Sequence, residues 1–400
     1  MYTKESLIST VVAILPEAHM QATVAELNEA GHNVLRSHAR GTLQDNRWYR
    51  KFLPAISPEK GTLRLLLPNS EVEAAMRIII NRAKLHRQST GAIYSIPCNE
   101  VFVGDDFQSS CSIEQVESCD ATASLKENLD VIQCIVEKHQ TDGIASAAIA
   151  AGAHGPIVHY SEGYGLRDRL GWLRITKQAE KEVLTVIVDN AKADSIFAAM
   201  ANAGQLHLPG RGFMYQMPVT KGLFNLPSHI DGQRYPANMQ QIIGALDHLM
   251  GDDHWRDQTV FELEGTGKTA GLGFLANDSI NRLLDEQACL TAIVDREHAA
   301  QLMELMIDVG APGLNVSYCQ RITTENQHLH EGVSLLSEYA IINCVAGESL
   351  THDVLHQTKL RATEAGINNL CLHLQPVPRV ATYLHHPNPE RRRNATERAA

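Results

Sequence analysis

The chain has 400 residues, 44% of them apolar, a formal net charge of −11 and eight cysteines. That length suits two or three domains with real cores. The acidic balance argues against broad nucleic-acid binding, which needs a basic face, and no apolar run is long enough for a membrane-spanning helix. The scattered cysteines contain no CxxC pair and fit reduced thiols, so a cytoplasmic location is expected.

In chain order, the N-terminal stretch places Glu5 ahead of its apolar run and shows no clear small-residue cleavage site. It reads as a first strand, not a signal peptide. From there a pattern recurs three times: a β-like run, a helix ending at glycine, then a second strand. The copies are "LISTVVAIL…VAELNEAGHNVLRSHARG", "LDVIQCIVE…IAAGAHGPIVHYSEG" and "CLTAIVDRE…MIDVGAPGLNVSYCQR". The helix-ending glycines are Gly31, Gly152 and Gly310, each suited to the left-handed position after a helix. From each glycine to the next apolar strand, near Leu63, Val183 and Tyr339, the separations are 32, 31 and 29 residues. Each copy then closes with strand, helix and strand: "TLRLLL" to "AIYSIP", "VLTVIV" to "FMYQMP", "YAIINCV" to "NLCLHL".

The order βαββαβ predicts an α+β chain of three ferredoxin-like repeats, each a four-stranded antiparallel sheet with two helices on one face. Strands such as "VLTVIV" are apolar on both sides, so the other sheet face must also be covered. The expected organisation is repeat 1 over 5–103, an acidic serine-rich linker over 104–127, and repeat 2 over 128–220. An insertion over 221–285 carries an amphipathic helix, "PANMQQIIGALDHLMG", followed by repeat 3 over 286–384 and a charged disordered tail over 385–400. Between strands two and three every copy has a long polar excursion: "TLQDNRWYRKFLPAISPEKG", "LRDRLGWLRITKQAEK" and "ITTENQHLHEGVSLLS". Each mixes charges with bulky apolar residues (Trp48 and Tyr49, Trp172, Leu335 and Leu336), which suits either docking to a partner or packing back onto its own domain.

The second copy holds the leading candidate site. Its strand "PIVHYSEGYG" ends in Gly163, Tyr164 and Gly165; a basic loop with Arg167 and Arg169 follows; and Gly210, Arg211 and Gly212 open the last strand. Glycine permits positive φ and close backbone approach, so convergent N–H groups with arginines nearby suit a small anion. Tight turns without a ligand are the alternative. The other copies are less well equipped, with Gly41 and Gly91 in the first and Gly366 in the third.

A valine-rich strand running into Gly-Tyr-Gly, then a long loop, strand, helix and Gly-Arg-Gly turn, resembles the P-II nitrogen-regulator family. The matching residues are Gly163-Tyr164-Gly165 and Gly210-Arg211-Gly212, with Met214-Tyr215 in the positions of the family's Ile-Phe. The family's arginine after the first turn is Leu166 here, and its phosphate-binding lysine is Phe213. The resemblance implies an intramolecular pseudo-trimer in place of the family's trimer, so a monomer with internal threefold symmetry is expected. It also implies an adenine nucleotide (ATP, ADP or AMP) as effector, no required cofactor, no catalysis, and control of a protein partner such as a transporter or biosynthetic enzyme through the long loops.

Competing readings are an enzyme or a scaffold that has lost sensing. The glycine-rich 265–273, with Lys268 and Thr269, lacks the early glycine of a P-loop, since that position is Glu262. His352 and His356, four apart on a helix, have zinc-binding spacing, but no third ligand is evident from sequence. His328 and His330 fall on a loop, and Cys111 and Cys119 on the acidic linker would pair only under oxidation.

Overall fold

A computed structural model describes residues 7–41, 59–85, 91–104, 125–165, 180–224, 283–284, 286–322 and 337–383. Within them lie six helices and sixteen strands, all the strands joined in one curled sheet. The first unit runs β1 (Ile8–Pro16), α1 (Glu17–Glu29), β2 (Val34–Gly41), β3 (Glu59–Pro68), α2 (Asn69–Ala83), β4 (Ala92–Pro97) and β5 (Glu100–Val103). The second runs β6 (Leu129–Glu137), α3 (Thr141–Ala150), β7 (His154–Gly165), β8 (Glu180–Asp189), α4 (Asn190–Ala203), β9 (Phe213–Val219) and β10 (Lys221–Leu223). The third opens with β11 (Leu283–Leu284) and continues with β12 (Gln287–Asp295), α5 (Arg296–Asp308), β13 (Gly313–Ile322), β14 (Ser337–Gly347), α6 (Glu348–Glu364), β15 (Leu370–Val377) and β16 (Arg379–Thr382). The first four strands of the first unit pair antiparallel in the order β4-β1-β3-β2. The equivalent orders are β9-β6-β8-β7 and β15-β12-β14-β13.

The first helix of each unit ends the same way. Gly31, Gly152 and Gly310 have φ of 83°, 96° and 113°. The N–H after each reaches back to the last helical turn, as in His32 N–H to Leu27 O at 2.9 Å. That closure needs a left-handed residue, which glycine adopts without a Cβ penalty. Gly204 behaves differently: it stays right-handed at the end of α4, and Gln205 takes φ 49°. A Cβ on Gly204 would lie 3.1 Å from Ile144 Cδ1, so the glycine serves close packing of α4 on α3.

Alternation along each strand sends side chains to opposite sheet faces. Leu63, Leu65 and Leu67 of β3 face α1 and α2 and share a core with Met20, Val24, Leu27, Met76 and Ile79. Each unit has such a core beneath its helices. The opposite faces meet in a shared core containing Val12, Tyr94, Val131, Tyr215, Cys289 and Val377, drawn from all three units. The apolar-on-both-sides strands are therefore buried on both faces, β6 along nearly its whole length.

Two cyclic sets of strand pairings join the units. The closing strand of each unit adds to the edge of another: β5 to β15, β16 to β9 and β10 to β4. At the other edge β2, β7 and β13 pair with one another, as Arg36 with Gln320, Arg40 with Val158 and Asn315 with Gly163. These short closing strands have no counterpart in the periodicity of the sequence. The amphipathic helix expected near 236–251, most of the linker and the tail lie outside the described residues.

Candidate functional site

The inner sheet faces carry polar residues at equivalent positions. Val12 pairs with both Arg64 and Tyr94, Gln133 with both Thr185 and Tyr215, and Thr291 with both Asn343 and His373. Hydrogen bonds tie this level together within and between units. Within the second unit the Tyr215 hydroxyl donates to Gln133 Oε1 at 2.6 Å. His373 Nε2 of the third unit lies 3.4 Å from Thr10 Oγ1 of the first. Burial holds the Tyr94 phenol up at about 12 and raises the Tyr215 phenol as well, so both remain uncharged.

Beside this layer, between the first and third units, is a cavity of about 30 Å³ lined by Thr10, Asn33, Leu35, Arg64, Arg321 and His373 among others. A single water requires roughly 10–15 Å³ on the same measure, so the space admits a few atoms. Among the described residues its lining holds two arginines and no carboxylate. The half-buried Arg64 guanidinium forms no ion pair among the described residues, yet its field reaches buried groups of all three units, including Cys98, Tyr215 and Cys319. His373 is fully buried, and its Nδ1 has no hydrogen-bond partner among the described residues. Burial, with Arg64 adding to it, lowers the imidazole to about 3, so His373 is neutral. The described lining of the cavity thus presents positive charge and a ring nitrogen without a carboxylate.

Of the residues expected to bind ligand, Gly163, Tyr164 and Gly165 end β7 and pair with Asn315, Leu314 and Gly313 of β13. Tyr164 packs against the core of the third unit. Gly210 and Gly212 have φ of 80° and 116°, with the exposed Arg211 between them. A Cβ on Gly212 would fall 2.1 Å from Ile135 O, so backbone crossing alone requires this glycine. Phe213 and His159 lie level across three strand intervals, about 14 Å at the usual spacing, which holds the two turns of one unit apart. Arg167, Arg169, residues 265–273, His328, His330, Cys111 and Cys119 lie outside the described residues.

His352 and His356 acquire a neighbour that their local sequence does not reveal. Strand β5 of the first unit lies along β15, Glu100 opposite Leu374, beneath α6. There Glu100 Oε2 is 2.9 Å from His352 Nδ1, and Glu100 Oε1 is 3.4 Å from His356 Nε2. On the same helix Lys359 stacks its ammonium over Phe102 of β5, 4.4 Å from the ring centroid.

A scan against protein-family models finds no match, and no curated protein matches. Among solved structures, the chain is similar to an Arabidopsis thaliana PII protein bound to citrate, at 17% identity over 24% of this chain and 78% of that one, with a TM-score of 0.20. It is also similar to an aspartate kinase from Synechocystis, at 10% identity over 93% of this chain and 44% of that one, with a TM-score of 0.19. These superpositions are too loose to assign a fold family or an activity. No helix among the described residues is long and apolar enough to cross a membrane.

Chemically, the Arg64 cavity offers charge, hydrogen-bond donors and a ring nitrogen. Guanidinium charge and donors are the chemistry that suits an anion. The Glu100 cluster offers two imidazoles and a carboxylate.

Proposed function

We propose that the chain is a non-catalytic ligand-sensing regulator of P-II-like design, in which three ferredoxin-like units form an intramolecular pseudo-trimer and a small anion binds between the first and third. The observation that carries this reading is the cavity lined by Arg64, with Arg321 beside it and no acidic residue among the described lining residues. The strand orders and the two cyclic sets of pairings support the architecture. Arg321 is the penultimate residue of β13, immediately before 323–336, and Arg64 lies on β3, which follows 42–58. A ligand held by both would bias the strands that carry two of the three long segments, and with them the fit to a protein partner.

The size of the cavity favours a small oxyanion, or the acidic headgroup of a larger metabolite entering from its open side. Adenine nucleotides belong in the second class. The test is calorimetric titration of the metal-free chain with bicarbonate, nitrate, phosphate, citrate, ATP, ADP and AMP. At least one is expected to bind, with an affinity lost in Arg64→Gln. Uptake of none, or equal uptake by the variant, would remove the reading. Response to the inorganic ions identifies a small-anion sensor; response confined to nucleotides or citrate identifies headgroup capture.

A further inference from the structure

We infer that Glu100, His352 and His356 form a binding site for a divalent transition-metal ion of the Zn²⁺ class, tying the first unit to the third. The chain supplies the two imidazoles at i and i+4 of α6, so they stand on one helix face. The carboxylate comes from a different unit, delivered by the pairing of β5 with β15. Its side chain is only 15% exposed, and each of its two oxygens lies against a different imidazole nitrogen. All three donor atoms fall within 4.8 Å of one another. Ligand bonds of about 2.0–2.2 Å in a tetrahedral site put donor atoms roughly 3.4 Å apart. The two imidazoles approach different oxygens of Glu100, so a small turn of the carboxylate and movement of His356, the most exposed of the three, would bring one oxygen and both nitrogens to that spacing.

Two imidazole nitrogens and one carboxylate suit Zn²⁺, Co²⁺ or Ni²⁺ and not Ca²⁺ or Mg²⁺, which prefer oxygen-only shells. Three protein ligands leave a position for water. The metal would hold β5 against α6 more firmly than a histidine–carboxylate contact, and so stabilise one of the three exchanges between units. This inference does not depend on the anion cavity, which shares none of its residues.

The experiment is titration of the chelator-treated full-length chain with ZnCl₂ by calorimetry, with CoCl₂ absorption as a second readout. One ion per chain is expected, with a rise in the thermal midpoint. His356→Ala and Glu100→Gln should each weaken binding by at least about ten-fold and abolish the midpoint rise. Arg64→Gln should bind zinc normally, which separates this inference from the anion reading. His356 is largely exposed, so its removal leaves the fold in place. Absence of zinc binding would overturn the inference. So would binding retained in both variants, or binding lost only when Cys111 and Cys119 are changed to serine.

Discussion

Thr10 of β1 and His373 of β15 stand 363 positions apart in the chain and face one another across the boundary between the first and third units, Oγ1 to Nε2 at 3.4 Å. The contact fixes a fully buried neutral imidazole in the shared core. Its pKa is near 3 in the fold against an ordinary 6.5, so the unfolded chain binds a proton here that the folded chain refuses. Stability from this group is complete above pH 6.5 and declines as pH falls toward 3. The slope is about 1.4 kcal/mol per pH unit. Burial displaces His32 and His159 in the same direction. Urea denaturation at pH 7 and pH 5 should show His373→Gln losing less on acidification than the parent. Parallel losses would show that the imidazole is not kept neutral.

Glu182 of β8 is a second boundary residue, with a side chain only 1% exposed. Its carboxylate accepts hydrogen bonds from the hydroxyl of Thr141 at 2.6 Å, from the His139 N–H at 3.1 Å, and from Arg40 Nη2 of the first unit at 3.2 Å. Removing the carboxylate leaves the Thr141 hydroxyl and the His139 N–H without that acceptor and strips the partly buried Arg40 guanidinium of its buried partner, leaving it Asp142 at 3.6 Å and Thr141 Oγ1 at 3.2 Å. Glu182→Ala should cost roughly 3 kcal/mol, and Arg40→Ala less, because Arg40 is more exposed. Denaturant midpoints of the two single variants and the double variant would measure the coupling. Additive losses would place the arginine outside the interaction.

The units were legible because their signals are local. Gly31, Gly152 and Gly310 recur at helix ends where positive φ is compulsory, and strands with apolar residues on both faces announced a second covering layer. What joins the units was not legible. β5, β10, β11 and β16 span two to four residues each, too short for a periodicity, and are ordered by edges that come from elsewhere in the chain. Glu100 could not be matched to His352 and His356 for the same reason. Arg64 did leave a trace: a cation inside "TLRLLL" on the face away from the helices. Gly212 is demanded by the close approach of the Ile135 carbonyl whether or not a ligand binds at its turn.

The six described cysteines should be silent toward thiol reagents in the native chain. Cys98, Cys134, Cys289, Cys319, Cys344 and Cys371 are all buried and free. Burial raises the Cys98 and Cys289 thiols to about 11 and those of Cys134, Cys319 and Cys344 to about 12, with Cys371 displaced in the same direction. The thiolate is the reactive form, so both access and ionisation are suppressed. Native titration with an aromatic disulfide reagent should modify no more than two of the eight cysteines, and all eight in denaturant. More than two native equivalents would mean that the shared core opens readily.

Two glycine substitutions in the second unit should move stability in opposite directions. Gly212 has φ 116°, and an added Cβ would lie 2.1 Å from the backbone oxygen of Ile135, which cannot rotate away. Gly212→Ala should therefore destabilise by about 2–3 kcal/mol, combining left-handed strain with displacement of β9 from β6. Gly143 lies exposed within α3, and a methyl group added there would meet nothing within 4 Å. Gly143→Ala should stabilise by about 0.5–1 kcal/mol, because alanine loses less backbone entropy on entering a helix. Both follow from denaturant unfolding of single variants. If Gly212→Ala were neutral, the Ile135 carbonyl would not be what demands a glycine there, and the turn's sequence would again need a ligand to explain it.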